Sequence, residues 1–345
     1  MRRGVVAIAV LFCALVSCGR VECQPKGSGY HVVDSLLLGG DTGWDYLTVD
    51  TSAERLYVSR GTRVQVVDLM QKSIVGEIPN TTGVHGIALV TSAGKAYTSN
   101  GRDSSVTVFD LKTLKTLSTI KIDARNPDAI LYDDLSHRIF TFNGGSGNAT
   151  AIDAGSGAVV GTIPLGGKPE FAVTDGRGYI FVNIEDKSEL VKVDPRTLKE
   201  VKRWSLAPGE EPSGLAIDRE HRRLFSACGN HLMMISNADS GGVVGQAPIG
   251  GGVDWAGYDP ALRLAFSSNG EGTLTVVRGD ASDRYSVLED VTTMRGARTC
   301  VVDEKTHRVY TVTARFGTPP APTAERPHPR PPIEPGSVTL YSIGR

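Results

Sequence analysis

The sequence predicts an all-β protein, a seven-bladed β-propeller of four-stranded antiparallel blades. The first observation is a unit of four short alternating apolar segments separated by turn residues, clearest between residues 83 and 122, which is typical of a β-meander. The second is that this unit recurs at a spacing of about forty residues, the period of propeller blades. The third is physical: one such sheet cannot bury both of its faces alone, whereas a ring of sheets can.

Seven copies of the middle of this unit can be aligned along the chain. They begin at Arg55, Lys95, Arg138, Tyr179, Arg223, Arg263 and Arg308. The first strands are predicted to begin near Asp45, Gly86, Asp128, Glu170, Ser213, Asp254 and Arg298. We call the face on which these strands begin the upper face. The hairpins that follow them contain Asp, Gly, Pro and Ser, which form tight turns, so they are predicted to be solvated turns on the opposite face.

Residues 1–17 are predicted to be a signal peptide. Arg2 and Arg3 precede a short apolar run, residues 5–16, which is too short to cross a membrane comfortably. Residues 15–18 resemble a bacterial lipobox, which makes Cys18 a candidate for lipidation; ordinary secretory cleavage is the alternative. Either way the chain is predicted to be exported, as a periplasmic or cell-envelope lipoprotein of a bacterium or as a secreted protein. Residues 18–29 are predicted to be a tether.

Residues 30–345 are predicted to form one propeller domain whose ends meet. Residues 30–36 have the pattern of an outer strand but arrive before any blade has begun. The last copy ends after its third strand, at residues 338–343. Pairing these two segments would complete the seventh blade and remove an open edge. The sequence therefore predicts that the N-terminal strand closes the ring.

A Pro-rich insert, residues 317–335, interrupts the seventh copy. Such a density of proline prevents sheet pairing and favours an extended path. The insert replaces the loop between the second and third strands, which places it across the upper face. Two interpretations stay open: a disordered surface loop, or a lid or partner-docking segment.

The repeat resembles the YVTN-type repeat of bacterial seven-bladed propellers, a group that includes YncE-like proteins. The shared pattern is an aromatic residue, two β-forming residues, Asn, a short loop and then V-x-V-x-D. It occurs in full as Tyr97 to Asn100 with Val106 to Asp110, and in part as Phe140 to Asn143 with Ile152-Asp153 and as Phe181 to Asn183 with Val193-Asp194. The resemblance covers roughly residues 30–345 and implies the fold; it implies little about function, because propellers carry many unrelated activities.

Charge, cysteines and motifs exclude several classes of function. The net charge is −1, so there is no basic excess to bind nucleic acid. No nucleophile elbow, P-loop, dinucleotide fingerprint or H-E-x-x-H motif is present. The five cysteines show neither a disulfide framework nor zinc spacing. Cys228 and Cys300 are predicted to be buried thiols that act as small apolar residues.

The upper face is predicted to hold the functional residues, because a ring brings together side chains from distant parts of the chain. The candidates for ligand binding are Trp44, His85, Asp128, Glu170, Phe171, Asp254, Trp255 and Arg298. His85 and Glu170 stand out because turn chemistry does not require them; they are either a general acid and base or rim residues without a chemical role. No cofactor is expected, with calcium in the central channel as the weaker alternative, since it takes oxygen ligands.

Two functional hypotheses follow. The first is a non-enzymatic, monomeric propeller that binds a partner protein or small ligand on its upper face and meets the membrane only through an N-terminal lipid anchor. The second is a propeller-type lactonase or related hydrolase acting on a sugar lactone or ester. Its catalytic candidates are His85, Glu170, Asp254, Arg298 and Arg315. A haem or quinone propeller is disfavoured because no C-x-x-C-H motif is present.

Overall fold

The computed structural model describes residues 1, 27–40, 42–280, 283–323 and 329–345. Residues 2–17 of the predicted signal peptide, Cys18 and most of the predicted tether lie outside the described residues. Apart from two single-turn 3-10 helices, Thr91–Ala93 and Glu185–Lys187, the regular elements of the described ranges are β-strands. In those ranges no helix is long and apolar enough to cross a membrane. The all-β prediction is confirmed.

The strands form consecutive four-stranded units after β1 (His31–Leu37). Unit 1 contains β2 (Leu47–Asp50), β3 (Arg55–Ser59), β4 (Gly61–Asp68) and the first half of β5 (Ser73–Val90). Unit 2 contains the second half of β5, β6 (Lys95–Asn100), β7 (Ser105–Asp110) and β8 (Thr116–Lys121). Unit 3 contains β9 (Pro127–Asp133), β10 (Arg138–Asn143), β11 (Asn148–Asp153) and β12 (Val159–Pro164). Unit 4 contains β13 (Pro169–Thr174), β14 (Ile180–Ile184), β15 (Glu189–Asp194) and β16 (Lys199–Ser205).

The later units repeat this order. Unit 5 contains β17 (Pro212–Asp218), β18 (Arg223–Cys228), β19 (Leu232–Asn237) and β20 (Val243–Pro248). Unit 6 contains β21 (Val253–Asp259), β22 (Leu264–Asn269), β23 (Thr273–Gly279) and β24 (Tyr285–Thr292). Unit 7 contains β25 (Cys300–Asp303), β26 (Arg308–Thr313), β27 (Thr339–Gly344) and, as its outer strand, β1. Each first strand begins within a few residues of its predicted start.

Hydrogen bonding divides the described strands into six antiparallel sheets, five of four strands and one of seven. The seven-stranded sheet contains units 1 and 2, which share the long strand β5. The first half of β5 pairs with β4 and the second half with β6. Asn80 and Gly83 have φ angles of 63° and 70°, so the chain turns between the halves. The architecture of repeated four-stranded sheets is consistent with a propeller.

The N-terminal strand pairs with the C-terminal unit, as the sequence predicts. β1 runs antiparallel to β27, from His31 opposite Gly344 to Leu37 opposite Thr339. Just before β1, Tyr30 is buried and packs edge-to-face on Phe266 of unit 6, with ring centroids 5.3 Å apart. The two ends of the folded chain are therefore joined by backbone hydrogen bonds and by an aromatic contact.

Apolar clusters fill the spaces between consecutive units. One cluster joins unit 1 to unit 2, and corresponding clusters lie between the later pairs. A further cluster packs Leu47 and Leu56 of unit 1 against Val312 and Leu340 of unit 7. The first strands also approach closely, since a Cβ atom added at Gly214 would lie 2.3 Å from the backbone nitrogen of Ala256. Each unit thus covers the faces of its neighbours.

The hairpins between first and second strands are held by buried aspartates. Asp50 accepts hydrogen bonds from the backbone N–H groups of Ser52 and Ala53 at 3.0 Å each, and equivalent bonds occur in other units. Asp50 is only 7% exposed, and Asp259 is fully buried. The prediction of turns is confirmed, but these carboxylates are structural groups under the turn and not part of a solvated rim.

The base of the Pro-rich insert is a short antiparallel ribbon. Phe316 and Ile333 form a β-bridge, the N–H of Gly317 donates to the carbonyl of Pro332 at 2.9 Å, and the N–H of Glu334 donates to the carbonyl of Arg315 at 2.9 Å. Within the insert, residues 324–328 lie outside the described residues. The two ends of the insert are therefore fixed to each other.

The two cysteines in the repeats are buried free thiols, as predicted. Burial raises the pKa of Cys228 to about 12 and that of Cys300 to about 11. Both thiols stay protonated at neutral pH, so neither is a reactive nucleophile.

Candidate functional site

Charged side chains from six units meet on the upper face, where the first strands begin. We call this group the charge cluster; it consists of Asp45, His85, Asp128, Lys168, Glu170, Glu185, Asp254 and Arg298. Distances and mutual effects on pKa show that the members interact across unit boundaries. The cluster arises because equivalent positions of successive repeats carry ionisable residues that face one region.

His85 lies between two carboxyl groups. Its Nδ1 donates to Oδ2 of Asp45 at 2.5 Å and lies 3.6 Å from Oδ1 of Asp128. Burial opposes the charge of the ring, but the hydrogen bond that the ring donates to Asp45 and the charges of the nearby carboxyls raise the pKa of His85 to about 8. His85 is therefore an imidazolium at neutral pH.

Asp128 and Glu170 lack full charge compensation. Burial raises the pKa of Asp128 to about 6, helped by Asp45 and opposed by His85. Burial and the neighbouring charge of Asp128 raise the pKa of Glu170 to about 8, although Lys168 contacts Glu170 directly. Lys168 cannot fully compensate Glu170, because it also contacts Glu185. Both carboxyl groups therefore titrate near neutral pH.

Asp254 and Arg298 form an ion pair at the far side of the cluster. Nε of Arg298 is 3.0 Å from Oδ2 of Asp254. Burial nevertheless raises the pKa of Asp254 to about 6, with Asp45 and Asp128 adding to the effect. Arg298 thus offsets only part of the negative charge that the neighbouring carboxyl groups place around Asp254.

Tyr46 and Phe171 form the aromatic part of the site. Their rings stack with centroids 5.4 Å apart, and the hydroxyl of Tyr46 is hydrogen-bonded to Asp128. Burial, together with the charges of Asp128, Glu170 and other cluster carboxyls, raises the pKa of Tyr46 well above its usual value. Tyr46 is therefore a neutral hydrogen-bond donor to the cluster.

The predicted site residues occupy three environments. The charge cluster contains five of them: His85, Asp128, Glu170, Asp254 and Arg298. Phe171 stacks on Tyr46, which in turn contacts the cluster. Trp44 lies instead beside the insert, 6.2 Å from the ring centroid of Phe316. Trp255 is 7% exposed and belongs to the core between units 6 and 7, so its ring offers a ligand little surface. Arg315 is largely exposed and pairs with Glu334 at 2.8 Å.

Two members of the site, Tyr46 and Lys168, are missed by sequence reasoning. Lys168 precedes Glu170 by two residues, and residues two apart on a strand project to the same side. That spacing would have indicated a pair of opposite charges. Tyr46 follows Asp45 directly, and no pattern in the sequence distinguishes it from the aromatic residues of the core.

Three residues of the cluster could hold a metal ion. One ligand atom from each of Asp45, His85 and Asp128 lies within 4.8 Å of the others. An imidazole with two carboxylates suits a transition metal better than calcium, which prefers oxygen ligands alone. The calcium alternative stays a prediction from the sequence.

The asparagines at or near the ends of the second strands have a structural role. Asn100, Asn143, Asn183 and Asn269 are fully buried. Asn100 donates to Ser105 at 3.1 Å and to Thr107 at 2.9 Å, and Asn269 bonds to equivalent residues. Asn100, Asn143 and Asn269 thus fix the second strand to the third. Asn183 instead donates to the backbone carbonyls of Ser213 and Gly214 in unit 5.

Comparisons with known proteins support the fold alone. No protein-family model and no curated protein matches the chain. Among solved structures, 1840 chains match. One of these, described as "Structure of U3-55K", is a propeller-like structure that superposes with a TM-score of 0.73 and 9% identity, covering 91% of this chain and 99% of that one. Such low identity carries no information about function, and the resemblance to the YVTN repeat stays a prediction.

Proposed function

We propose that this protein is a binding scaffold whose charge cluster holds a positively charged group of a partner protein or small ligand. One observation carries the proposal. The cluster combines five carboxyl groups, those of Asp45, Asp128, Glu170, Glu185 and Asp254, with the three basic groups of His85, Lys168 and Arg298. An incoming cation would supply the missing positive charge and favour ionisation of the carboxyls.

We further propose that the units form a seven-bladed ring closed by β1. The pairing of β1 with β27 supports it, as do the contacts of β25 with β2 and the apolar cluster shared by units 7 and 1. A ring would place the charge cluster around its axis, where a partner can reach it. The proposed location is the bacterial cell envelope, and it rests on the leader sequence alone.

The geometry gives less support to a lactonase or related hydrolase. A general base has to be unprotonated, whereas the carboxyls around His85 keep it protonated at neutral pH. The other ring nitrogen, Nε2, would lie 2.7 Å from a Cβ atom added at Gly101, so it packs against the backbone. His85 thus serves better as a fixed charge than as a proton acceptor.

The proposal is tested with a charged probe and its neutral analogue. N-acetyl-argininamide carries the guanidinium, and N-acetyl-citrullinamide has nearly the same shape without the charge. Ligand-observed NMR at millimolar concentration should show the arginine probe binding at least about tenfold more tightly, since a hydrogen bond to a charged group contributes about 1.5 kcal/mol or more. Equal binding of both probes, or binding of neither, would reject the proposal.

The same probe locates the site. We expect Asp128→Asn together with Asp254→Asn to remove the preference for N-acetyl-argininamide, because two carboxylates near the guanidinium are lost. Glu220→Gln is the matched control, since Glu220 is an exposed acid in the hairpin between β17 and β18. A preference that survives the double substitution would place the cation elsewhere.

A further inference from the structure

A pocket beside the charge cluster has the opposite character. It has a volume of about 300 Å³ and lies between the start of unit 1, loops of units 6 and 7 and the base of the Pro-rich insert. We call it the arginine pocket; its main side chains are Trp44, Arg295, Arg298, Phe316, Arg330 and Ile333. We propose that the arginine pocket binds a small organic acid, a carboxylate carried on a flat apolar body. This site goes beyond the proposed function, because its ligand has the opposite charge.

Positive charge is in excess in the arginine pocket. Arg298 is held by Asp254 in the charge cluster. Arg295 and Arg330 are exposed, and no acidic partner is found for either one anywhere in the described ranges. No described residue of the pocket lining is acidic. Since a guanidinium presents a planar fork of donors that matches a carboxylate, the two free arginines select an anion.

The walls of the pocket suit a flat apolar body. The rings of Trp44 and Phe316 lie 6.2 Å apart and are tilted by 49°, and Ile333 lies beside them. Phe316 is fixed by its bridge to Ile333 and by close packing on Gly296, where an added Cβ atom would lie 2.8 Å from the ring. Pockets of this volume, with aromatic walls and few polar groups, are typical of sites for small molecules.

An unsatisfied donor lies in the same wall. The indole N–H of Trp44 is buried and finds no hydrogen-bond acceptor among the residues that the structure describes. A buried polar group without a partner is uncommon in folded proteins and costs free energy. The wall therefore offers hydrogen-bond donors, this N–H and the guanidinium groups, without a matching acceptor. A carboxylate is the kind of group that would supply one.

The test uses 3-phenylpropanoate, its neutral amide 3-phenylpropanamide, and acetate, which has the charge without the apolar body. Calorimetric titration should show that 3-phenylpropanoate binds at least roughly tenfold more tightly than the other two, because it alone meets both requirements. Binding of the amide as tight as that of the acid would overturn the proposal, and so would absence of binding by the acid at millimolar concentration.

Substitutions place the ligand within the pocket. Arg295→Gln and Arg330→Gln should each weaken the binding of 3-phenylpropanoate roughly tenfold, with little change in Tm because both side chains are exposed. Arg196→Gln, in the turn between β15 and β16, is the matched control. Unchanged affinity in a protein carrying both pocket substitutions would contradict the proposal.

The proposals for the charge cluster and for the arginine pocket can be tested separately. Asp128→Asn removes a carboxyl of the charge cluster and leaves the lining of the arginine pocket intact, so it should not weaken the binding of 3-phenylpropanoate. A tenfold loss in that variant would show that the acid binds outside the arginine pocket. If Asp128→Asn weakens the binding of N-acetyl-argininamide and leaves the binding of 3-phenylpropanoate unchanged, the two ligands occupy separate sites, as we propose.

Discussion

A protein that lacks residues 30–37 is expected to lose most of its stability. The deletion removes Tyr30 from the core and the whole pairing of β1 with β27, which leaves an open edge on unit 7. The loss should be about 5 kcal/mol or more, comparable with the entire stability of many domains. Thermal unfolding followed by circular dichroism measures it.

The proper reference is a chain that begins at residue 27, so that the leader and most of the tether are absent from both proteins. If the two proteins melt within about 3 °C of each other, β1 contributes less than about 2 kcal/mol, since 1 kcal/mol shifts the Tm of a domain of this size by about 1.5 °C. That result would contradict the role assigned to the N-terminal strand. It would also remove the main support for a ring closed by β1.

Stability is expected to fall as the pH rises from about 5 to about 8.5. The folded-state pKa values of His85 (about 8), Asp128 (about 6) and Glu170 (about 8) are all above their ordinary values. The folded protein therefore binds more protons than the unfolded chain over this range, and stability falls as those protons are lost. The stabilisation from His85 is complete below its unfolded pKa and disappears as the pH passes about 8. The total change should be roughly 3 kcal/mol or more.

The variant Asp128→Asn, Glu170→Gln isolates this effect. Both substitutions remove a carboxyl that is costly to ionise, so the variant should be more stable than the native protein at about pH 8.5 and show a flatter dependence on pH. Denaturant unfolding at several pH values gives the comparison, with Glu220→Gln as the control. An unchanged pH dependence in the double variant would show that the titrating groups lie elsewhere.

Much of the fold could be predicted because its determinants are local. The same pattern of alternating strands and turn residues recurs at a regular spacing, so a copy that is easy to recognise helps to locate the strands of the others. The pairing of β1 with β27 could be inferred from an outer strand that arrives too early and a last unit that lacks one. The joining of two units through β5 could not, because it depends on a bridge between Gly61 and Val84.

The candidate site was only partly accessible from the sequence. Five of its residues could be predicted because they occupy similar positions, at the starts of the first strands: His85, Asp128, Glu170, Asp254 and Arg298. Their pairing could not, because it depends on side-chain directions across unit boundaries, as when His85 meets Asp45. The contrast between Trp44, beside the insert, and Trp255, in the core, also depends on packing that a repeat pattern does not encode.

The affinity for N-acetyl-argininamide, measured between about pH 6 and about pH 8.5, tests the central claim most directly. The guanidinium stays charged throughout this range, so the pH dependence reports on the protein alone. If the charge cluster holds the cation, the affinity should rise with pH as Glu170 and His85 lose their protons, by up to about tenfold per pH unit for each proton released. An affinity that is constant or falls over this range would contradict the claim that the charge cluster is a cation-binding site.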